Sequence, residues 1–343
     1  MRCRHDYKTN LKPKAHYQGD DEMDLIHEGK VKKVYQDPDS QNRVIIEFTD
    51  IVTAGDGEKI EEVEGKGEIT CELSEYLFGF LEGKGIDTHF VRTLDGPKML
   101  CRKVTIYPME VVCRNIAAGS FCKRYRVEKG QALDKPLVEF FLKEDDLHDP
   151  LITEEAIRSL GLVSKENLQF MRSVTLSVNY YLFELMKQQG LTLVDFKLEF
   201  GCTDAGHIVV ADELSGDTMR VWDNDSTSFD KDVFREDKGE LVEAYRKLAS
   251  ILKKAKPEQI SNRIEMVQVI VKPKIGIKNP PGEVTKKALV RLGFGDAEEV
   301  RVGKVFNIFL RRPVTSEILN QLDIMNIKLL SNPISEKHEV SLD

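Results

Sequence analysis

Residues 191–201 read Leu191-Thr-Leu-Val-Asp195-Phe-Lys197-Leu-Glu199-Phe-Gly201. From Asp195 onward polar and apolar residues alternate, which is the side-chain period of a β-strand. Such a strand turns Asp195, Lys197 and Glu199 to one face and Phe196, Leu198 and Phe200 to the other. Charges on a strand whose reverse face is core are costly unless something uses them. Thr203-Asp204-Ala205-Gly206 supplies a turn, and residues 207–212 return, so Asp212-Glu213 arrives in the same neighbourhood. Glu199 and Asp212 would then offer hard oxygen ligands suited to Mg²⁺, which shares its remaining positions between water and phosphate oxygens. A two-stranded ribbon with one solvated charged face is the competing reading.

Working outward, 343 residues suggest about two domains. Hydrophobic residues at 41% and charged residues at 31% describe an ordinary globular chain. The net charge of -8 argues against a general nucleic-acid surface, so no nucleic-acid partner is expected. An anionic small molecule must be caught by local cations working against that field. The six cysteines form no CxxC pair and no zinc-like spacing, which suits scattered thiols in a reducing compartment. No apolar run approaches the roughly 20 residues of a membrane span, and Met1-Arg-Cys-Arg-His-Asp-Tyr7 holds no secretory apolar segment. The expectation is a cytoplasmic protein without a membrane partner.

Residues 1–22 are polar and unpatterned, and are expected to form a loose arm. From Asp24 the pattern is strand, glycine turn, strand, with Lys30 and Lys32 at the bend, an arrangement that brings backbone close to phosphates. There is no GxxxxGK[ST] segment, so this is not a P-loop. Loops are expected at 53–57 and at Gly65-Lys66-Gly67, followed by a helix carrying Leu73, Tyr76, Leu77, Phe80 and Leu81. Pro108-Met-Glu110-Val-Val-Cys-Arg114 reads as a buried strand that exposes Arg114 just before Ala117-Ala-Gly-Ser120. Arg114 and Ser120, with Lys123, Arg124 and Arg126, make the strongest local cationic cluster; a guanidinium there could clamp a phosphate, or the group could be a surface salt-bridge patch. A helix is expected from near Ser164 to Gln189, with Leu168, Met171, Val178, Leu182 and Leu185 as a core stripe, and another across 241–252. Lys253-Lys-Ala-Lys-Pro257 reads as a linker. Beyond it the order is strand, helix, two strands (around 300–302 and 305–310), helix, strand, the βαββαβ order of a ferredoxin-like domain.

Two segments carry a resemblance. Pro108-Met-Glu-Val-Val-Cys-Arg-Asn-Ile-Ala-Ala-Gly-Ser120 and Val194-Asp-Phe-Lys-Leu-Glu-Phe-Gly201 resemble the signature segments of SAICAR synthetase, phosphoribosylaminoimidazole-succinocarboxamide synthase. Matches at Gly29-Lys-Val-Lys32, Ala54-Gly-Asp-Gly57, Phe141-Leu-Lys143, His148-Asp-Pro150, Asp212-Glu213, Arg220-Val-Trp-Asp223 and Asp230-Lys-Asp232 support it over roughly residues 24–253. Tyr107 and Thr70-Cys71 depart from the family pattern. From about residue 265, Val269–Lys274 (residues 269–274), Pro281-Gly282, Leu292-Gly-Phe294, Val300-Arg-Val-Gly-Lys304 and Leu329-Leu-Ser-Asn-Pro333 resemble the small, non-catalytic subunit of formylglycinamidine ribonucleotide synthase.

The resemblance implies an α+β architecture, with a two-lobed ATP-binding unit (antiparallel β N-lobe, mixed α/β C-lobe) over residues 23–254, a linker over 255–262 and the small domain over 263–343. It implies ATP-dependent joining of L-aspartate to the carboxylate of carboxyaminoimidazole ribonucleotide through an acyl phosphate, with ATP and Mg²⁺ required. The roles it implies are ATP binding by Lys30, Lys32, Ile106 and Glu110, and Mg²⁺ ligation by Glu199 and Asp212. Asp195 and Lys197 would sit at the reacting carboxylate, and Arg114, Ser120, Arg220, Lys143 and Asp56 would bind substrate. Partners implied are the large synthetase and glutaminase subunits, together with a homo-oligomeric state. The alternatives are an ATP-dependent small-molecule kinase and a scaffold that retains an inactive ligase domain.

Overall fold

The computed structural model describes residues 23–54, 59–237 and 239–342. In chain order the first elements are β1 (Leu25–Glu28), β2 (Lys32–Gln36), β3 (Arg43–Phe48), β4 (Ile51–Ala54), β5 (Lys59–Glu62), α1 (Lys66–Gly83), β6 (Phe90–Thr93) and β7 (Lys98–Arg102). Strands β1-β2-β3-β7-β6 form an antiparallel sheet, and β4-β5 a separate ribbon. The helix begins at Lys66, inside the expected Gly-Lys-Gly loop. Asp50 explains this: its carboxylate accepts the backbone N–H of Gly65 and Gly67 and so satisfies donors at the helix start.

The second lobe runs through β8 (Thr105–Ile116), α2 (Ser120–Tyr125), β9 (Ala132–Leu142), β10 (Leu151–Ile152), α3 (Glu154–Ser159), α4 (Lys165–Gln188), β11 (Thr192–Cys202), β12 (Ile208–Ala211), β13 (Met219–Trp222), α5 (Asp232–Arg235) and α6 (Leu241–Leu252). Its sheet is ordered β10-β9-β8-β11-β12, with β13 also on β11. Strand β11 is central. Along one edge it pairs with β8, and along the other its two halves pair with β13 and β12. Phe196, Leu198 and Phe200 enter the same core as the Met171, Val178 and Leu182 stripe of α4. Helix α4 starts where the sequence places it, because the Ser164 hydroxyl accepts from Asn167 N–H.

The C-terminal unit holds β14 (Glu265–Pro273), α7 (Pro280–Arg291), β15 (Lys304–Leu310), α8 (Ser316–Met325) and β16 (Glu336–Leu342), with sheet order β15-β14-β16. The architecture is α+β throughout, as expected. Residues 300–302 differ from the expected strand. The Asn279 side chain accepts from Val302 N–H and donates to its carbonyl, so this stretch is bound by an amide in place of a neighbouring strand. The unit packs onto the second lobe. Glu265 is buried and accepts from the Ser177 hydroxyl and from Val314 N–H, while Val314, Ile318 and Leu322 join the main core. No helix among the described residues is long and apolar enough to cross a membrane.

Leu198 is buried on the central strand against α4. Leu198→Ala is expected to lower unfolding free energy by about 2–5 kcal/mol, read from urea denaturation, with the native circular dichroism spectrum retained.

Candidate active site

The charged face of β11 is not solvated: Asp195 and Glu199 are 3% and 4% exposed. What neutralises Asp195 is a row of alternating charges that crosses the sheet. Arg124 on α2 reaches Glu139 on β9 at 2.6 Å, and Glu139 accepts Arg114 Nε on β8 at 2.7 Å. Arg114 Nη1 reaches Asp195 at 2.7 Å, and Asp195 also accepts Arg220 Nη1 on β13 at 2.9 Å. Arg220 Nε continues to Asp232 on α5 at 2.9 Å, where Arg235 ends the row at 2.7 Å. The row sets four guanidiniums against three carboxylates. Strand register explains the alignment, since Arg114, Asp195 and Arg220 face one another on neighbouring strands.

One step along the same face is a second cluster. Lys197 reaches Glu110 at 2.7 Å and Glu199 at 3.4 Å, and Lys143 reaches Glu199 at 2.5 Å. Lys32, from the bend of the first lobe, is paired with Asp212 and lies 3.3 Å from Glu213. Burial opposes the charged form of Lys32, but Asp212 and Glu213 outweigh it and hold the ammonium above its ordinary range. Burial likewise opposes the charge on Lys197, and Glu110, Glu199 and Asp212 overcome it. Burial alone would raise Asp212; Lys32 and Lys197 instead hold its carboxyl below the usual carboxylate range. Here three ammoniums face four carboxylates, with the surplus negative. Buried pairs of this kind are poor stabilisers, because desolvation offsets the attraction. Their concentration in one place therefore points to use.

Most of the residues marked by the sequence are brought together. Lys32, Glu110, Lys143, Lys197, Glu199 and Asp212 share one cluster, and Asp195, Arg114 and Arg220 form the adjoining row. Ser120 is exposed at the start of α2, beside Arg220: Gly119 has φ 55°, and a Cβ there would sit 2.7 Å from the Arg220 guanidinium. Lys30 is exposed in the bend before β2, and Ile106 is exposed at the far end of β8 from Arg114. Asp56 lies outside the described residues.

One expectation changes, and two contacts are added to what the sequence offered. Arg114 is 3% exposed and committed to two carboxylates, so it is not the open cation expected at the strand end. Lys197 bridges Glu199 and Glu110, while the adjacent guanidiniums take Asp195. Lys143, expected among the substrate-binding residues, touches Glu199 directly. Sequence reasoning missed Glu139, although a lone acid inside Val138-Glu-Phe-Phe-Leu142 is a legible signal of a buried ion pair. It also missed Lys66, 1% exposed and 2.6 Å from Asp217, which accepts in turn from the Tyr245 hydroxyl at 2.9 Å. That network ties the loop after β12 to α1 and α6.

A further irregularity sits at Asp212, a non-glycine residue at φ 65°. This left-handed conformation costs about 1–3 kcal/mol and is tolerated where the surroundings fix it. His89 Nε2 lies 3.1 Å from the Asp212 carbonyl. Burial pushes the imidazole down to about 4, which leaves it neutral at physiological pH.

Magnesium needs near-octahedral oxygen coordination but takes only one or two carboxylates when phosphates supply the rest. Glu199 and Asp212 are of that chemistry and close enough to act on shared lysines. Among the described residues no three His, Cys, Asp or Glu side chains form a ready-made metal cage. Two carboxylates with lysines beside them are a donor set that fits a metal carried in on a nucleotide.

A two-lobed α+β fold, with lysines over carboxylates beside an arginine row, suits an enzyme that handles anionic substrates, and its matches place it in the ATP-using ligase class. Residues 25–252 match the SAICAR synthetase family, and residues 266–343 match phosphoribosylformylglycinamidine (FGAM) synthase. Among relatives, the phosphoribosylaminoimidazole-succinocarboxamide synthase of Finegoldia magna is 45% identical over 66% of this chain and 97% of its own. That of Methanopyrus kandleri is 42% identical over 69% and 96%. A SAICAR synthetase solved in complex with ADP superposes with TM-score 0.64 at 43% identity, over 67% of this chain and 98% of its own. The chain belongs to the SAICAR synthetase family, and its residues 266–343 match the FGAM synthase family.

The Lys66–Asp217 pair gives a test of the scaffold behind the site. Burial alone would raise Asp217, but Lys66 and Lys231 hold it down at about 2, below its ordinary 3.8. The stabilisation is therefore complete above pH 3.8 and is lost as pH falls through 2. Asp217→Asn is expected to cost about 3–5 kcal/mol at pH 7 by leaving a buried ammonium unpaired. In urea titrations the gap from wild type should narrow between those two pH values.

Proposed function

We propose that this chain ligates L-aspartate to the carboxylate of carboxyaminoimidazole ribonucleotide, releasing SAICAR, ADP and phosphate. The observation that carries the reading is the meeting of Lys32, Lys143 and Lys197 with Glu110, Glu199, Asp212 and Glu213 on one sheet face, next to the arginine row. A carboxylate is a poor acyl donor because its oxygen leaves badly and its charge repels nucleophiles. Attack of that oxygen on the γ-phosphorus of ATP breaks the bond to the bridging oxygen, releases ADP and forms an acyl phosphate. The aspartate amine then adds to the carbonyl carbon; phosphate leaves and the amine loses a proton, giving the amide.

Each charged residue has a part in this sequence. Lys30 and Lys32 hold the nucleotide phosphates, with the Ile106 to Glu110 segment along the base. Lys197 and Lys143 offset charge on the carboxylate as it is phosphorylated. Asp195, tied to Arg114 and Arg220, orients both guanidiniums, and Arg220 with Ser120 meets the ribonucleotide phosphate. Asp56 serves as an additional substrate contact. Glu199 and Asp212 would hold Mg²⁺, which supplies Lewis-acid neutralisation of the transferring phosphoryl group.

The reading extends to location and assembly: a cytoplasmic enzyme of purine biosynthesis, with residues 255–262 as a linker and a C-terminal domain that is non-catalytic and docks the other FGAM synthase subunits or a second copy of this chain. Support comes from exposed apolar side chains in that domain, among them Ile275, Leu292, Phe309, Leu329 and Ile334.

Lys32→Ala is expected to raise the KM for ATP about 10- to 100-fold, the value of a charged hydrogen bond, with the fold intact by circular dichroism. ADP release by the wild type should require both the imidazole carboxylate and aspartate, with one aspartate consumed per ADP. Turnover with a hydroxyl acceptor and no aspartate would instead identify a kinase.

A further inference from the structure

Asp212 and Glu213 are consecutive, yet both carboxylates reach the one ammonium of Lys32. Regular strand geometry forbids this, because neighbouring side chains point to opposite faces. The left-handed backbone at Asp212, φ 65°, breaks the alternation just after β12 ends at Ala211 and turns both acids toward the same cation. A residue with a Cβ pays to adopt that conformation, aspartate less than most, and at a buried functional position it persists where the surroundings hold it.

His89 is in position to do so. Its main chain is fixed from two sides, with His89 N–H donating to the Val210 carbonyl at 2.8 Å and its own carbonyl accepting from Arg102 N–H at 2.7 Å. Its ring is 3% exposed and packs edge-on against Phe78, with centroids 5.6 Å apart. From this fixed post Nε2 meets the Asp212 carbonyl at 3.1 Å. A carbonyl oxygen only accepts, so Nε2 carries the proton. The Cys101 sulfur, 3.7 Å from the same nitrogen, is too weak an acceptor to compete.

We propose that His89 is a positioning residue for the nucleotide and metal site: its Nε2–H clamps the Asp212 carbonyl, fixes the left-handed turn, and so aims Asp212 and Glu213 together at Lys32. The residue touches neither substrate nor metal and acts through the backbone it holds. This rests on the assignment of Asp212 to the site, proposed above.

The test compares His89→Leu, which removes the donor, with His89→Gln, whose amide N–H reaches the same point, by titrating Mg²⁺ at saturating ATP in the full-length chain. Loss of an outer partner of a metal ligand predicts that His89→Leu raises the half-saturating Mg²⁺ concentration about tenfold or more, while His89→Gln stays within about threefold of wild type. An unchanged Mg²⁺ dependence in His89→Leu overturns the proposal, as does a glutamine variant that falls as far as leucine, since ring packing alone would then account for the effect. Asp212→Asn, run in parallel, separates the two layers. If it leaves the Mg²⁺ dependence unmoved, the site assignment itself fails; if it shifts while His89→Leu does not, only the clamp fails. Should His89→Leu not fold, nitrogen NMR of histidine-labelled wild type decides: the Nε2–H tautomer at His89 supports the clamp and the Nδ1–H tautomer overturns it.

Discussion

Everything in the catalytic lobe depends on neutralising charges that the central strand buries. Strand β11 has neighbours along both edges and a helix over its apolar face, so Asp195 and Glu199 have little access to water. A bare buried carboxylate would cost several kcal/mol. The sheet answers by placing arginine opposite Asp195 on both sides, and Glu199 is met by Lys197 from its own strand and by Lys143 from just past β9. The requirement propagates outward: Arg114 needs Glu139, Glu139 takes Arg124, and Arg220 needs Asp232. One strand's charges thereby fix the identities of residues on five other elements.

The two charge clusters differ in sign, and this bears on the chemistry. The arginine row carries one excess positive charge, while the lysine cluster carries one excess negative charge. A ribonucleotide phosphate suits the first. The second suits a nucleotide that arrives with a divalent cation, since its lysines meet phosphate oxygens and its spare carboxylate charge meets the metal. In a chain of net charge -8, this local division sets cationic groups where an anion can be held against the overall field.

The C-terminal domain adds a physical link to that site. The Ser316 hydroxyl accepts the Ile208 N–H at the start of β12, and Val314 lies in the apolar layer that also receives Val210. The strand that leads to Asp212 is thus held along its outer edge by residues 87–89 and at its start by the second domain. The two family matches in this chain are joined through packing and not only through sequence.

The sequence alone determined the α+β class, the α4 stripe with its start at Ser164, and the alternating charges of 195–199. Those features are local: periodicity, capping and turn residues act within a few positions of one another, and motif spacing is written along the chain. It also marked Lys32, Lys143, Glu199 and Asp212 as residues of interest. Tertiary structure decided who pairs with whom. Arg114 is buried, Lys197 turns to Glu110 from 87 positions away, and Lys66 meets Asp217 across 151 positions, all matters of strand register and lobe packing that no local pattern encodes. The kink at Asp212 belongs to the same class, because its cause, a hydrogen bond from His89, lies 123 residues upstream and exists only once the two segments are laid side by side.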